Sequence, residues 1–335
     1  MNIVTKTSWP SFRNVATEIR GAFERKGYDC KVNDWKEAKP GGKILFVGTL
    51  DNRTLRFLNS LSYGSDVVYY VTTEGLSQLD DFCIRTAKRL KLVAVSEFVR
   101  QMVGELGITV AGTVHHGIDM AARAIDFEFM KECTTRIKHS SRVILTVSAN
   151  HQRKGLDRLL TAYHNLEQRD PGAFLILHSQ REGYYDLKGL AERLGIRNLW
   201  LSESFGQITE SQLNSLYDSS SVYVQPSYSE GFGLPILEAF RFDKPPIAVD
   251  APPFNEIIRH RENGLLVPQR NASWFNFKDS IKFKTHMYAG EDLARTMEIA
   301  LLDQKLVTEM KDKIKSGKES WDSHVLYPKL LSYFD

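Results

Sequence analysis

The stretch SVYVQPSYSEGFGLPILEAF, residues 221–240, decides how this chain folds. It opens as a β-branched apolar run and closes as an apolar helical one, with two glycines, an aromatic and a proline between. Pro235 suits a first helical turn, where a missing N–H leaves no bond unmade. Two glutamates, Glu230 and Glu238, bracket seven residues of this turn. A strand apolar on both faces that feeds a helix is the unit of a parallel sheet covered on both sides. The turn therefore lies at the carboxyl end of a parallel strand, the edge where open α/β sheets collect ligands.

The same alternation runs outward in both directions. Toward the N-terminus, KILFVGT (43–49), DVVYYVTT (66–73), LKLVAVS (90–96) and ITVAGTVHH (108–116) read as strands. Asn14–Lys26, Asp80–Arg89 and Glu97–Leu106 read as helices among them. The second half repeats the theme with RVILTVSA (142–149), AFLILHS (173–179), NLWLSES (198–204), SVYVQPS (221–227) and PPIAVDA (245–251). Two such sets in 335 residues, more than one core usually supports, imply an α/β chain of two Rossmann-like domains. The join falls between His116 and Ser141, which carry no strand signal between them. This places an N-terminal domain at 1–118 and a C-terminal one at 119–318, with a last helix at about 319–335 that could pack back on the first. The aromatic, basic segment Asn271–Gly290 finds no place in this scheme.

Composition narrows the function. With 42% hydrophobic and 25% charged residues, the chain has enough apolar material for two cores and too much for disorder. A net charge of +3 gives no polyanion signal, so no nucleic acid is expected as a partner. Cys30, Cys83 and Cys133 are scattered and odd in number, which suits free thiols in a reducing compartment and offers no metal spacing. The opening MNIVTKTSWP, with a lysine and a proline, does not read as a signal peptide, and no stretch of the sequence approaches the roughly 20 apolar residues of a membrane span. The expected location is the cytoplasm, with attachment to the inner face of a membrane as the variant of it. For that attachment the cations Arg85, Lys88, Arg89 and Lys91 are the candidates, against the plainer reading of a solvated face.

Two features carry chemistry. Around 230–238, Gly231 and Gly233 let backbone N–H groups approach a ligand, and a helix start favours an anion such as phosphate. Glu238, in the first turn, can accept two hydrogen bonds from a vicinal diol such as ribose. Upstream, SANHQRKGLDRLLTAY (148–163) sets Arg153 and Lys154 at another strand-to-helix turn, where paired cations suit a diphosphate. The plainer alternatives are a simple turn whose glutamates favour the helix end, and two solvated charges.

Taken together, RKGLDRLLTAY, LNSLYDSSSVYVQPSYSEGFGLPILEAF and NEIIRHRENGLLVP resemble, in order and spacing, the retaining GT-B glycosyltransferases of family 4, or group 1. The resemblance implies two Rossmann-like domains facing a central cleft, 1–118 taking the acceptor and 119–318 the donor, with a nucleotide-diphosphate sugar (UDP- or GDP-linked) as co-substrate, no further cofactor and no metal. The acceptor would be a glycan, lipid or small molecule. It implies that Arg153 and Lys154 neutralise the diphosphate, that Glu230 lies at the transferred sugar, and that Glu238 holds the ribose. Gly231, Phe232, Gly233 and Leu234 would meet the donor through their backbone. Ser148 and Ala149 stand where many relatives have Gly-Arg, and TKTSWPSF (5–12) replaces a glycine-rich loop. Where many relatives place a histidine, this chain has Glu74, a second candidate catalytic residue whose alternative is a plain turn glutamate. His115 and His116 are expected to be structural. The rival functions are a sugar-nucleotide epimerase, a glycosidase using the two glutamates, and a non-catalytic nucleotide-sugar-binding subunit.

Overall fold

The computed structural model describes residues 1–202, 204–277 and 280–334. Two six-stranded sheets, both entirely parallel, form its two halves. The first comprises β1 (Asn2–Thr5), β2 (Lys31–Asp34), β3 (Gly42–Thr49), β4 (Ser65–Thr72), β6 (Lys91–Ala94) and β7 (Gly112–Thr113). Between β4 and β6 comes a short strand outside this sheet, β5 (Gly75–Ser77). The second sheet comprises β8 (Arg142–Val147), β9 (Ala173–His178), β10 (Leu199–Ser202), β11 (Val222–Val224), β12 (Pro246–Val249) and β13 (Leu265–Val267).

Strand order matters more than strand number. The sheets run β2-β1-β3-β4-β6-β7 and β10-β9-β8-β11-β12-β13. In each, the chain winds one way and then crosses back, leaving a crevice between two neighbouring strands. The crevice lies between β1 and β3 in the first sheet and between β8 and β11 in the second. The cores follow the pattern of buried parallel sheets: β9 is buried along its whole length, as are residues 67–71 of β4.

Most expected strands are present within a residue or two at their ends. SVYVQPS ends three residues early, at Val224, and ITVAGTVHH is shorter still, because only Gly112–Thr113 pair with β6. The reason is steric: a Cβ on Gly112 would lie 2.0 Å from the Tyr333 hydroxyl, so the C-terminal segment occupies that edge. Glu203, at the end of NLWLSES, lies outside the described residues. The helix expected at Asn14 begins at Pro10, where proline fits its first turn. Ser96 and Asp80 cap the helices Glu97–Gly104 and Asp81–Ala87 through Val99 N and Cys83 N.

Asn271–Gly290 resolves into a feature of its own. Residues Gln269–Phe277 (β14) and Ile281–Tyr288 (β15) form an antiparallel hairpin, and β15 pairs with β5 of the first half. The two halves thus share a small three-stranded sheet. Gly75 permits the approach, since a Cβ there would fall 2.1 Å from the Lys282 carbonyl oxygen. Gly75→Ala should therefore lower stability by roughly 1–3 kcal/mol in urea unfolding. Gly104→Ala, with no atom within 4 Å of the added carbon, should not.

Candidate active site

The loops that follow β8 and β11 leave neighbouring strands, so their side chains meet over the second crevice. After β8, a single 3₁₀ turn (Gln152–Lys154) leads through Gly155 into the helix Leu156–Arg169. Gly155 has φ +63°, and a Cβ on it would lie 2.1 Å from the Pro226 carbonyl oxygen. The loop after β11 is thus packed directly on the turn that carries Arg153 and Lys154, and Tyr228 N donates to Arg153 O at 2.8 Å.

The result is one partly buried ion cluster around the buried Glu230. Lys154 Nζ lies 2.5 Å from Glu230 Oε1, and Arg153 Nη1 lies 2.7 Å from Glu230 Oε2. The other guanidinium arm, Nη2, reaches Glu74 Oε1 at 2.8 Å, across from the first half. Ser227 Oγ and Gln225 Nε2 also donate to Glu230 Oε1, at 2.7 and 3.1 Å. Burial opposes the charged form of Glu230, but Arg153 and Lys154 outweigh it and hold the carboxyl down at about 2. Burial opposes the Arg153 cation too, yet Glu230 and Glu74 push its pKa above the ordinary value. Lys154 goes the other way, because burial and the adjacent Arg153 exceed the pull of Glu230.

Around the cluster, the halves are stitched together. Ser229 Oγ donates to Glu74 O at 2.5 Å, and Ser96 Oγ to Gly231 O at 2.7 Å. Glu256 accepts from Glu97 N and Phe98 N at 2.8 Å each, and lies 3.0 Å from His115 Nε2. His116 is buried with its Nδ1 near the Tyr70 and Tyr327 hydroxyls, and burial, then His115, lowers its pKa to about 3. Both histidines pack on Phe232.

The candidate residues therefore separate into groups. Arg153, Lys154, Glu230 and Glu74 come together. Gly231 faces the first half: a Cβ would sit 2.3 Å from Thr72 Oγ1, so its small size is used for that contact. Gly233, at φ +119°, starts the helix Leu234–Arg241, and the Phe232 ring belongs to the histidine packing. Glu238 is the fifth residue of that helix, not a member of the first turn, because the helix opens only at Leu234. It stands apart from the cluster and accepts from the Tyr217 hydroxyl at 2.6 Å. Burial raises its pKa. Tyr217 thus supplies a hydrogen bond to the second glutamate, while Ser227 and Gln225 carry no sequence signal beyond lying at a strand end. Phe283 of β15, 5.8 Å from the Arg153 guanidinium, was equally unmarked.

Residues 132–283 match the family model described as Glycosyl transferases group 1. That match takes in under half of the chain, which is similar to the family over this stretch. An uncharacterized glycosyltransferase of Sulfolobus islandicus rod-shaped virus 1 is 22% identical over 97% of this chain and 97% of its own length. A serotype-specific mannosyltransferase, WbdA of Escherichia coli, is 28% identical over 61% of this chain and 23% of its own. The chain thus spans nearly all of the viral relative but under a quarter of WbdA. Among solved structures, Anabaena HepE in complex with UDP and glucose superposes with a TM-score of 0.75 at 14% identity, covering 99% and 98% of the two chains. A glycosyltransferase from Rickettsia africae superposes equally well, at 15% identity over 99% and 97%. The fold is GT-B.

Among the described residues no helix is long and apolar enough to cross a membrane. Of the four cations considered for a membrane surface, Arg89 donates to Asn59 Oδ1 and Lys91 to Tyr333 O.

Glu230 has a folded pKa below its ordinary 4.5, so its contribution to stability is complete above pH 4.5 and is lost as pH falls toward 2. Glu230→Gln should be less stable near neutrality and show a shallower loss over that window, read by urea unfolding at successive pH values.

Proposed function

We propose that this enzyme moves a hexose from a UDP- or GDP-linked sugar to a hydroxyl of a glycan, lipid or small-molecule acceptor, with retention at the anomeric carbon and without a divalent ion. The observation that carries the reading is the Glu230–Lys154–Arg153–Glu74 cluster over the second crevice. Two largely buried cations beside one another at a sheet crevice suit a diphosphate. On donor binding, Lys154 and Arg153 turn part of their hydrogen bonding to phosphate oxygens, and Glu230 is released to accept from sugar hydroxyls. The start of the helix Leu234–Arg241 adds its N–H groups to the countercharge. Glu238, one oxygen already oriented by Tyr217, is placed for the ribose diol.

In the reaction, the bond from the anomeric carbon to the diphosphate oxygen breaks with both electrons going to phosphate. The acceptor oxygen bonds to the same face of that carbon, and its proton passes to the departing diphosphate. Arg153 and Lys154 stabilise the charge that accumulates there, the kind of fixed electrostatics that dominates many enzymes. The solved complex of HepE with UDP-glucose supports a nucleotide-sugar donor.

Glu230→Gln should retain the fold by circular dichroism and lose transfer by about 100-fold or more, a loss of the size seen when a preorganised polar group is removed. Full activity in that variant would sink the assignment. Glu238→Ala should weaken binding of free UDP or GDP about tenfold by calorimetry while changing turnover at saturating donor much less. Activity should survive EDTA, and the product's anomeric configuration, read by NMR, should match the donor's.

A further inference from the structure

Each of the two glutamates that bracket the turn is reached from the core by a buried tyrosine. Tyr217 lies on the helix Glu210–Asp218 and Tyr223 in the middle of β11. Both are fully buried, with ring centroids 5.7 Å apart. They serve different carboxylates. Tyr217 Oη donates to Glu238 Oε2 at 2.6 Å. Tyr223 Oη donates to Gln225 Oε1 at 2.5 Å, and Gln225 Nε2 donates onward to Ser227 Oγ at 2.7 Å and Glu230 Oε1 at 3.1 Å.

Packing alone does not call for these hydroxyls, because phenylalanine fills nearly the same volume with no polar atom to satisfy. Each phenol has one proton and two acceptors to choose from. The second acceptor, Pro235 O for Tyr217 and Val147 O for Tyr223, stands at 3.4 Å in both cases, so the shorter bond takes the proton. Burial pushes both phenols well above their ordinary pKa, so neither gives that proton up. With Tyr223 donating to its carbonyl, the amide of Gln225 faces one way. Turned over, it would set that carbonyl against the Glu230 carboxylate with no proton between them.

The two carboxylates depend on this support differently. Glu230 is shared among Arg153, Lys154, Ser227 and Gln225. Once the two cations turn to phosphate oxygens, as the proposed function has it, Ser227 and the relay from Tyr223 through Gln225 keep Glu230 in place. Glu238 stands apart from those cations and is set by Tyr217, which holds Oε2 and leaves Oε1 to a ligand.

We propose that Tyr217 and Tyr223 are positioning residues with separate tasks: Tyr217 fixes Glu238 for the nucleotide's diol, and Tyr223, acting through Gln225, fixes Glu230 for the transferred sugar. The two ligands in that statement rest on the transferase reading, while the fixing of two carboxylates by two phenols does not. Loss of the first hydroxyl therefore falls on nucleotide binding, and loss of the second on turnover.

The test uses the full chain with Tyr217→Phe, Tyr223→Phe, Gln225→Leu, and the last two combined. The first readout needs no ligand: the carboxyl carbons of Glu230 and Glu238 are followed against pH by NMR and assigned with Glu230→Gln and Glu238→Gln. A carboxylate that loses a donated hydrogen bond titrates higher. Tyr217→Phe should move Glu238 up and leave Glu230, and Tyr223→Phe should do the reverse. Arg241 and Glu210 act on Glu238, and Arg153, Lys154 and Ser227 on Glu230, in parent and variants alike, so the comparison isolates the phenols. The second readout is calorimetry with UDP and GDP beside turnover of UDP-glucose and GDP-mannose. Tyr217→Phe should weaken the nucleotide about three- to fivefold and change turnover at saturating donor much less. Tyr223→Phe should lower kcat about tenfold and change nucleotide affinity much less, and should add nothing to Gln225→Leu. Equal movement of both carboxyls in each variant, no movement in either, or a further loss when Tyr223→Phe is added to Gln225→Leu overturns the proposal. A parent chain that binds neither nucleotide removes the donor reading instead, and the two titrations then decide the positioning by themselves.

Discussion

Everything about the site turns on keeping Glu230 ionised where water is scarce. A carboxylate so buried is costly unless paired, and removal of one partner from such a pair costs about 3–5 kcal/mol. Arg153 and Lys154 provide the pairing, and Glu74 shares the arginine from across the molecule. The charges balance only when the two halves are together. The cluster is therefore both a site and a fastening, which makes the relative placement of the halves part of its electrostatics.

Topology explains why so few residues suffice. Reversing the strand order at β8 and β11 brings two loops side by side that are about 75 residues apart in the chain, as the 2.5 Å contact between Lys154 and Glu230 records. Gly155 and Gly231 then allow the loops to approach each other and the first half at distances a Cβ would forbid. These glycines serve backbone packing first. Any benefit to a ligand comes from the cradle this packing leaves.

Both sheets were legible because their strands are short, apolar on both faces and separated by helical runs. RVILTV and AFLILH could be little else. The ionic residues were legible as two separate turns at carboxyl edges, but their union was not, since it follows from strand order and not from local pattern. The hairpin was hidden for a different reason. In NASWFNF, Trp274 and Phe275 are successive, so aromatic side chains fall on both faces and period-two alternation shows no inside. Its inside is defined by Gly75, His151 and Arg153, residues more than a hundred positions away. Tyr217 shows a smaller version of the same limit: the partner of its hydroxyl is set by the next helix and not by its own sequence neighbours.

The shared sheet of β5 with the hairpin also bears on modularity. Two-domain chains of this kind invite recombination, with one half exchanged as a cassette. Here the strand that walls the first half's crevice is encoded after β13, well inside the second half. A chimera joined in the segment between β7 and β8 would bring in a foreign wall along with a foreign second sheet, and would leave β5 facing a partner it was not shaped for. In genetic terms, the boundary between the two folding units and the boundary between the two crevices fall at different places in the chain.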